Sequence, residues 1–169
     1  MGYGKPGLIA ALAALLAGCA SYDGSSLVPG KSTGADIQAT MGTPVERQTY
    51  PGETVWWYPR GPAGWHSYAV TVGSDGILKR IEQRLTVENV RKVVPNAWTK
   101  KEVRELFGPP GAIGQLPLMS REWWEYKYLD YQDQRVLWVQ FSEDRVVREV
   151  LDMRDWAFEL PGMGRSRHK

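Results

Sequence analysis

The chain has 169 residues, 43% of them hydrophobic and 24% charged, a globular composition long enough for one well-cored domain or two small ones. A formal charge of +2 gives no case for nucleic acid or a steering field, so no nucleic-acid partner is expected. Eight tryptophans are the outlier of the composition, and packing explains most of them.

Lys5 and the N-terminus give a weakly positive start, followed by an apolar run from Leu8 to Ala17. The run is too short for a folded transmembrane helix and suits a signal-peptide core. It ends in Leu16-Ala17-Gly18-Cys19, which resembles the bacterial lipobox. That resemblance implies a signal peptide over 1–18, cleavage before Cys19 and lipidation of its thiol. Cys19 is the single cysteine of the chain and so has no intrachain disulfide partner. Each buried acyl CH₂ adds about 0.8 kcal/mol of membrane affinity, and the palmitate-type chains of a lipoprotein cysteine anchor it durably. Ala20 stands where an aspartate would imply inner-membrane retention. By similarity to Gram-negative sorting rules, the protein is expected at the periplasmic face of the outer membrane. Residues 19–26, polar with Gly24, read as the lipidated tether.

Residues 27–83 and 84–152 read as two copies of one plan. Thr33-Gly-Ala-Asp36-Ile37 through Met41-Gly42-Thr43-Pro44 aligns without a gap on Thr99-Lys-Lys-Glu102-Val103 through Phe107-Gly108-Pro109-Pro110, 66 residues on. Each is a short helix with a threonine N-cap and an acid three residues later to close a capping box. Ile37/Met41 and Val103/Phe107 form apolar pairs at i, i+4. Gly42 and Gly108 should take positive φ in a left-handed turn, and the proline two residues on forbids continuation. Two turns do not stand alone in water, so each needs a sheet to cover its stripe.

Three strand-like runs follow in the first copy: 54–58, 68–72 and 77–81, the last pair joined by a turn at Ser74-Asp75-Gly76. The second copy repeats them at 123–128, 136–141 and 146–150. Trp56/Tyr58 matches Trp124/Tyr126, Val70/Val72 matches Val139/Phe141, and Asp75 matches Asp144. A further helix is predicted over 86–93 from the spacing of Val87, Val90 and Val94, with no equivalent in the first copy. The period is too long for a solenoid and indicates an internal duplication. Residues 153–169 read as a C-terminal tail, with Trp156 and Phe158 packing back on the body and the end disordered.

The combination of capped helix, Gly-x-Pro stop, Trp-x-Tyr strand and alternating strands resembles the SmpA/OmlA (BamE-like) small outer-membrane lipoproteins. In tandem it is similar to the fold of the β-lactamase inhibitor proteins. The resemblance implies an α+β fold, with short helices on one face of three-stranded antiparallel sheets. Its best-known member is an accessory subunit of the β-barrel assembly machinery. That implies an envelope partner in that machinery, while the two-repeat form departs from the single-repeat pattern.

Candidate chemistry is sparse. His66, near a Pro/Gly loop, and His168, in the tail, do not share a metal site, and Cys19 is consumed by the anchor. Glu122 and Glu125 fall on opposite faces of a strand and do not converge. Gly108-Pro109-Pro110-Gly111 lacks the lysine of a phosphate loop. No catalytic residue, metal or cofactor is expected.

The tryptophans divide by strand alternation. Trp56/Tyr58 and Trp124/Tyr126 belong to the helix-covered face. Trp57, Trp65, Trp123 and Trp138 are candidates for a partner-binding surface on the uncovered face, Trp57 and Trp138 first among them. The alternative is a two-sided core closed by the tail or by the other copy. The functional expectation is an outer-membrane-anchored accessory of envelope assembly, not an enzyme. The second reading is a periplasmic inhibitor or scaffold that binds a soluble envelope protein.

Overall fold

The computed structural model describes residues 23–61 and 65–155. Cys19, the signal peptide and the tail residues Trp156 and Phe158 lie outside the described residues. The chain is mostly β. Two four-stranded antiparallel sheets carry a few short helices. The first half contains α1 (Gly34–Met41), β1 (Glu46–Tyr50), β2 (Glu53–Pro59), β3 (Ser67–Gly73) and β4 (Leu78–Gln83). The second contains α2 (Val87–Val90), α3 (Lys100–Phe107), β5 (Ala112–Leu116), β6 (Arg121–Asp130), β7 (Asp133–Phe141) and β8 (Val147–Arg154). Strand order follows the sequence, β1-β2-β3-β4 and β5-β6-β7-β8.

The expected α+β fold of three-stranded sheets under paired helices is therefore corrected. β1 and β5 are the strands missing from it. Both are short edge strands, and β1 reads Glu-Arg-Gln-Thr-Tyr, with no apolar alternation to betray it. The helix expected over 86–93 shrinks to the single turn of α2. Val93 is buried, but Val94 is 50% exposed. Pro95 disfavours helical backbone at the residue before it. The tether also ends sooner: Gly24 is buried, and a Cβ there would meet Met41 and Ile81 at 2.8 Å. At the other end β8 continues to Arg154, paired with Arg135, so the tail starts later than residue 153.

The duplication is repeated bond by bond. Thr33 and Thr99 both close capping boxes, with Asp36 and Glu102. The first helical N–H donates to the carbonyl of the facing hairpin turn in each half: Gly34 to Gly76 at 3.0 Å, Lys100 to Arg145 at 2.8 Å. The Tyr58 and Tyr126 hydroxyls each donate to the carbonyl of the helix-stop glycine, Gly42 or Gly108, at 3.1 Å. Burial raises both phenols, that of Tyr58 to about 12. Gly42 and Gly108 have φ of 84° and 78° as expected, but ψ of −166° and −158°. This is not the left-handed helical region. It is the extended region at positive φ that is essentially reserved for glycine.

α1 buries Ile37 and Met41 against Tyr58, Val70, Val72 and Leu78 on one face of the first sheet. α3 buries Val103 and Phe107 against Trp124, Tyr126, Leu137, Val139 and Phe141 on the equivalent face of the second. α3 also touches the back of the first sheet. Arg104 pairs with Glu46. Ser67 Oγ donates to the Phe107 carbonyl at 3.0 Å. Trp57 lies so close over Gly108 that a Cβ there would fall 2.3 Å from its ring. The layers run α1, first sheet, α3, second sheet.

Candidate functional site

This layering decides where the candidate tryptophans lie. Antiparallel partners share a face. Glu46, Trp57, Ala69 and Glu82 form one row on the back of the first sheet, where α3 docks. Trp57 is 1% exposed and clusters with Val55 and Ala69. Its place on the surface is thus corrected. Strand alternation did put it opposite α1, but the second half covers it. Its Nε1–H is buried with no hydrogen-bond partner among the described residues.

The corresponding face of the second sheet has no helix over it among the described residues. Its central row is Ala112, Glu125, Trp138 and Leu151, and the next is Gly114, Trp123, Gln140 and Glu149. Trp123 and Trp138 are brought together on this face. Their rings stack at 4.8 Å with an interplanar angle of 16°. The far side of Trp123 rests on Gly114, where a Cβ would fall 2.3 Å from the indole. Trp138 Nε1 donates to Glu125 Oε2 at 2.9 Å. Both rings are half-buried, and this stack fixes their orientation. Packing on a glycine and bonding through a carboxylate hold them without the cost of ordering free side chains.

Charged pairs border the stack. Arg121 bridges Gln140 and Glu149 at 3.1 and 3.0 Å, and Lys127 pairs with Asp155 at 2.9 Å. Beyond Leu116 and Arg121 the β5–β6 turn carries Leu118, fully exposed, and Met119, 52% exposed. The equivalent turn of the first half is the tight Pro51-Gly52. This apolar tip was not among the expected site residues. Its signal was the loop inserted between the helix stop and the Trp-x-Tyr strand of the second copy.

Trp65 is half-buried just ahead of β3 and is not part of the stack. His66 stacks on Tyr68 at 5.9 Å. A cleft of about 410 Å³ opens at the junction of the halves, lined by Pro59, His66, Leu85, Pro110, Glu125 and Lys127. Its carboxylate and ammonium are engaged by Trp138 and Asp155, and Ser67 by the Phe107 carbonyl. No nucleophile and base converge there. Among the described residues no three metal-ligating side chains gather, and no helix is long and apolar enough to cross a membrane.

No protein-family model matches the chain, and no curated protein matches it. Among solved structures it aligns with a DUF4309 family protein, YjgB, from Bacillus subtilis. Identity is 19% over 78% of this chain and 84% of that one, with a TM-score of 0.31. A TM-score of 0.31 does not imply a common fold.

Proposed function

We propose that the protein is an outer-membrane-anchored lipoprotein that binds another envelope protein through the back of its second sheet, as an accessory of envelope or outer-membrane-protein assembly. The stacked, half-buried Trp123–Trp138 pair carries the reading. Aromatic anchors with a polar rim are the usual composition of binding hot spots. Here the rim is Arg121, Glu149 and Lys127, the last held by the buried Asp155. The matching face of the first sheet supports it by contrast, because burial under α3 leaves Trp57 no partner outside the chain. The anchor rests on the Leu-Ala-Gly-Cys19 sequence.

Two experiments test this. Chemical crosslinking and pull-down from intact envelopes should recover a partner with wild type and lose it with Trp123→Ala/Trp138→Ala, a hot-spot loss of about 2 kcal/mol or more. A barrel-assembly subunit as the recovered partner supports the assembly role, and a soluble envelope enzyme supports the inhibitor or scaffold reading instead. Unchanged recovery contradicts the surface. For the anchor, an alkyne fatty acid should label wild type and not Cys19→Ser, and equal label on both refutes lipidation there.

A further inference from the structure

Four strands edge the two sheets: β1, β4, β5 and β8. Charged residues stand in three of them. β1 has Glu46 and Arg47, β4 has Lys79, Arg80 and Glu82, and β8 has Arg148, Glu149, Asp152 and Arg154. Charge on an edge is how folded proteins discourage another chain from adding a strand. β5, Ala112-Ile113-Gly114-Gln115-Leu116, has no charged residue.

The first half shows what the second has given up. In β1 the Arg47 guanidinium lies over Trp56, 4.4 Å from the ring centroid, and donates to Gln38 at 2.7 Å. Glu46 beside it is held by Arg104 of α3. Sixty-six residues on, Ala112 replaces Glu46 and Ile113 replaces Arg47. Ile113 faces Trp124 across the strand pair, as Arg47 faces Trp56, yet is 55% exposed. Among the described residues β5 pairs with β6 alone. Both outer edges are unpaired among the described residues, but charge guards the one in the first half and not the one in the second, which borders the Trp123–Trp138 face through Gly114.

We propose that β5 accepts an extended segment of the partner protein as a fifth strand of the second sheet. This rests on the reading that the second sheet binds an envelope protein, and names how that partner is held. The incoming strand satisfies the outward N–H and C=O groups of β5. It is uncharged at its centre, since β5 offers no countercharge. It alternates apolar residues, those of one side meeting Ile113 and those of the other meeting Gly114 and the edge of the Trp123 indole. Leu118 and Met119 extend the apolar contact at one end.

Backbone hydrogen exchange of the full chain tests the proposal. The probe is an acetylated octapeptide of alternating threonine and valine with a lysine at each end. Its control is the same peptide N-methylated at every internal residue, which has no N–H on either edge to complete a ladder. The plain peptide at millimolar concentration should slow exchange at 112–116 by about tenfold or more, and the methylated one should not. Ile113→Arg, which restores the first half's residue, should remove the effect. Unchanged exchange with the plain peptide, or equal slowing by the methylated one, overturns the proposal, whatever Ile113→Arg does to folding. Two other occupants are read in the same experiment. Concentration-dependent protection without peptide assigns the edge to a second copy. Protection released by deleting residues 156–169 assigns it to the chain's own tail. Either result overturns the partner strand. In the envelope pull-down, loss of partner with Trp123→Ala/Trp138→Ala but full recovery with Ile113→Arg overturns strand addition and leaves the outer-face reading standing. Full recovery with both overturns that reading itself.

Discussion

Trp57 and Glu125 hold the same position in the two halves, as do Ala69 and Trp138. In the first half the large ring at this level is on β2 and sits under α3, 1% exposed. In the second it is on β7, stacked on Trp123 and half-buried. The bonds facing inward, from cap to turn and from tyrosine to helix stop, are nearly identical between the copies. Residues on the backs of the sheets differ: one back is an internal interface, and the other has no helix over it among the described residues. The two halves share what each needs to fold. What differs is what each half touches.

The largest effect expected from this contrast is at the tryptophans. Trp57→Ala should cost about 3–5 kcal/mol, a cavity between the halves. Trp57→Phe should cost far less, since it keeps most of the ring and removes an indole N–H without a partner. Trp138→Ala should leave the urea midpoint much closer to wild type than Trp57→Ala. Equal losses at 57 and 138 would break the comparison.

The helix stops sharpen it. Gly42 and Gly108 share one backbone conformation, so alanine strains each by about 1–3 kcal/mol. At Gly42 a Cβ meets nothing within 4 Å, whereas at Gly108 it runs into Trp57. Gly108→Ala should therefore be worse than Gly42→Ala by about 1–3 kcal/mol of overpacking. Equal urea midpoints for the two variants would show that α3 is not pressed on the first sheet.

A smaller difference lies in the β-hairpin turns. Gly76 takes φ of 77° in the first half, and Arg145 takes 64° in the second. Arg145→Gly should raise thermal stability by up to about 1 kcal/mol, the left-handed penalty less the entropy of glycine. Gly76→Arg should lower it.

Smallest of all is the acid response of the twin caps. The Thr33 backbone N–H and hydroxyl hold the Asp36 carboxyl below its ordinary value. The Thr99 hydroxyl and backbone N–H do the same for Glu102. A carboxyl lowered on folding stabilises above its unfolded pKa and loses that contribution as pH falls through the folded one. Both caps should thus contribute fully at pH 6 and fade below about pH 4. Asp36→Asn and Glu102→Gln, compared with wild type by urea melts at pH 6 and pH 3, should each show a gap at pH 6 that narrows at pH 3.

Helix ends, the glycines that stop them and six of eight strands were legible because local residues dictate them: Thr33, Asp36, Gly42 and their counterparts act within a few positions of themselves. β1 was not, because Glu46-Arg47-Gln48 becomes a strand only by pairing with β2. Alternation assigned Trp57 to the face opposite α1. Its burial depends on where α3 docks, and no local pattern encodes that. Trp123 and Trp138 could be named separately from the sequence. That they form one stack follows from the pairing of Glu125 with Trp138 across β6 and β7. The Leu118–Met119 tip and the uncharged β5 emerge only when the halves are laid position on position.

Site-specific photocrosslinking along β8 in intact envelopes tests the central claim, that the back of the second sheet is the binding surface. Residues 149, 151 and 153 pair with 140, 138 and 136 on that back, whereas 152 pairs with 137 on the helix side. One adduct should form from 149, 151 and 153 and be missing from 152 and from Arg91 beyond α2. Adducts of equal yield from all five positions, or from 152 and 91 alone, would contradict the account.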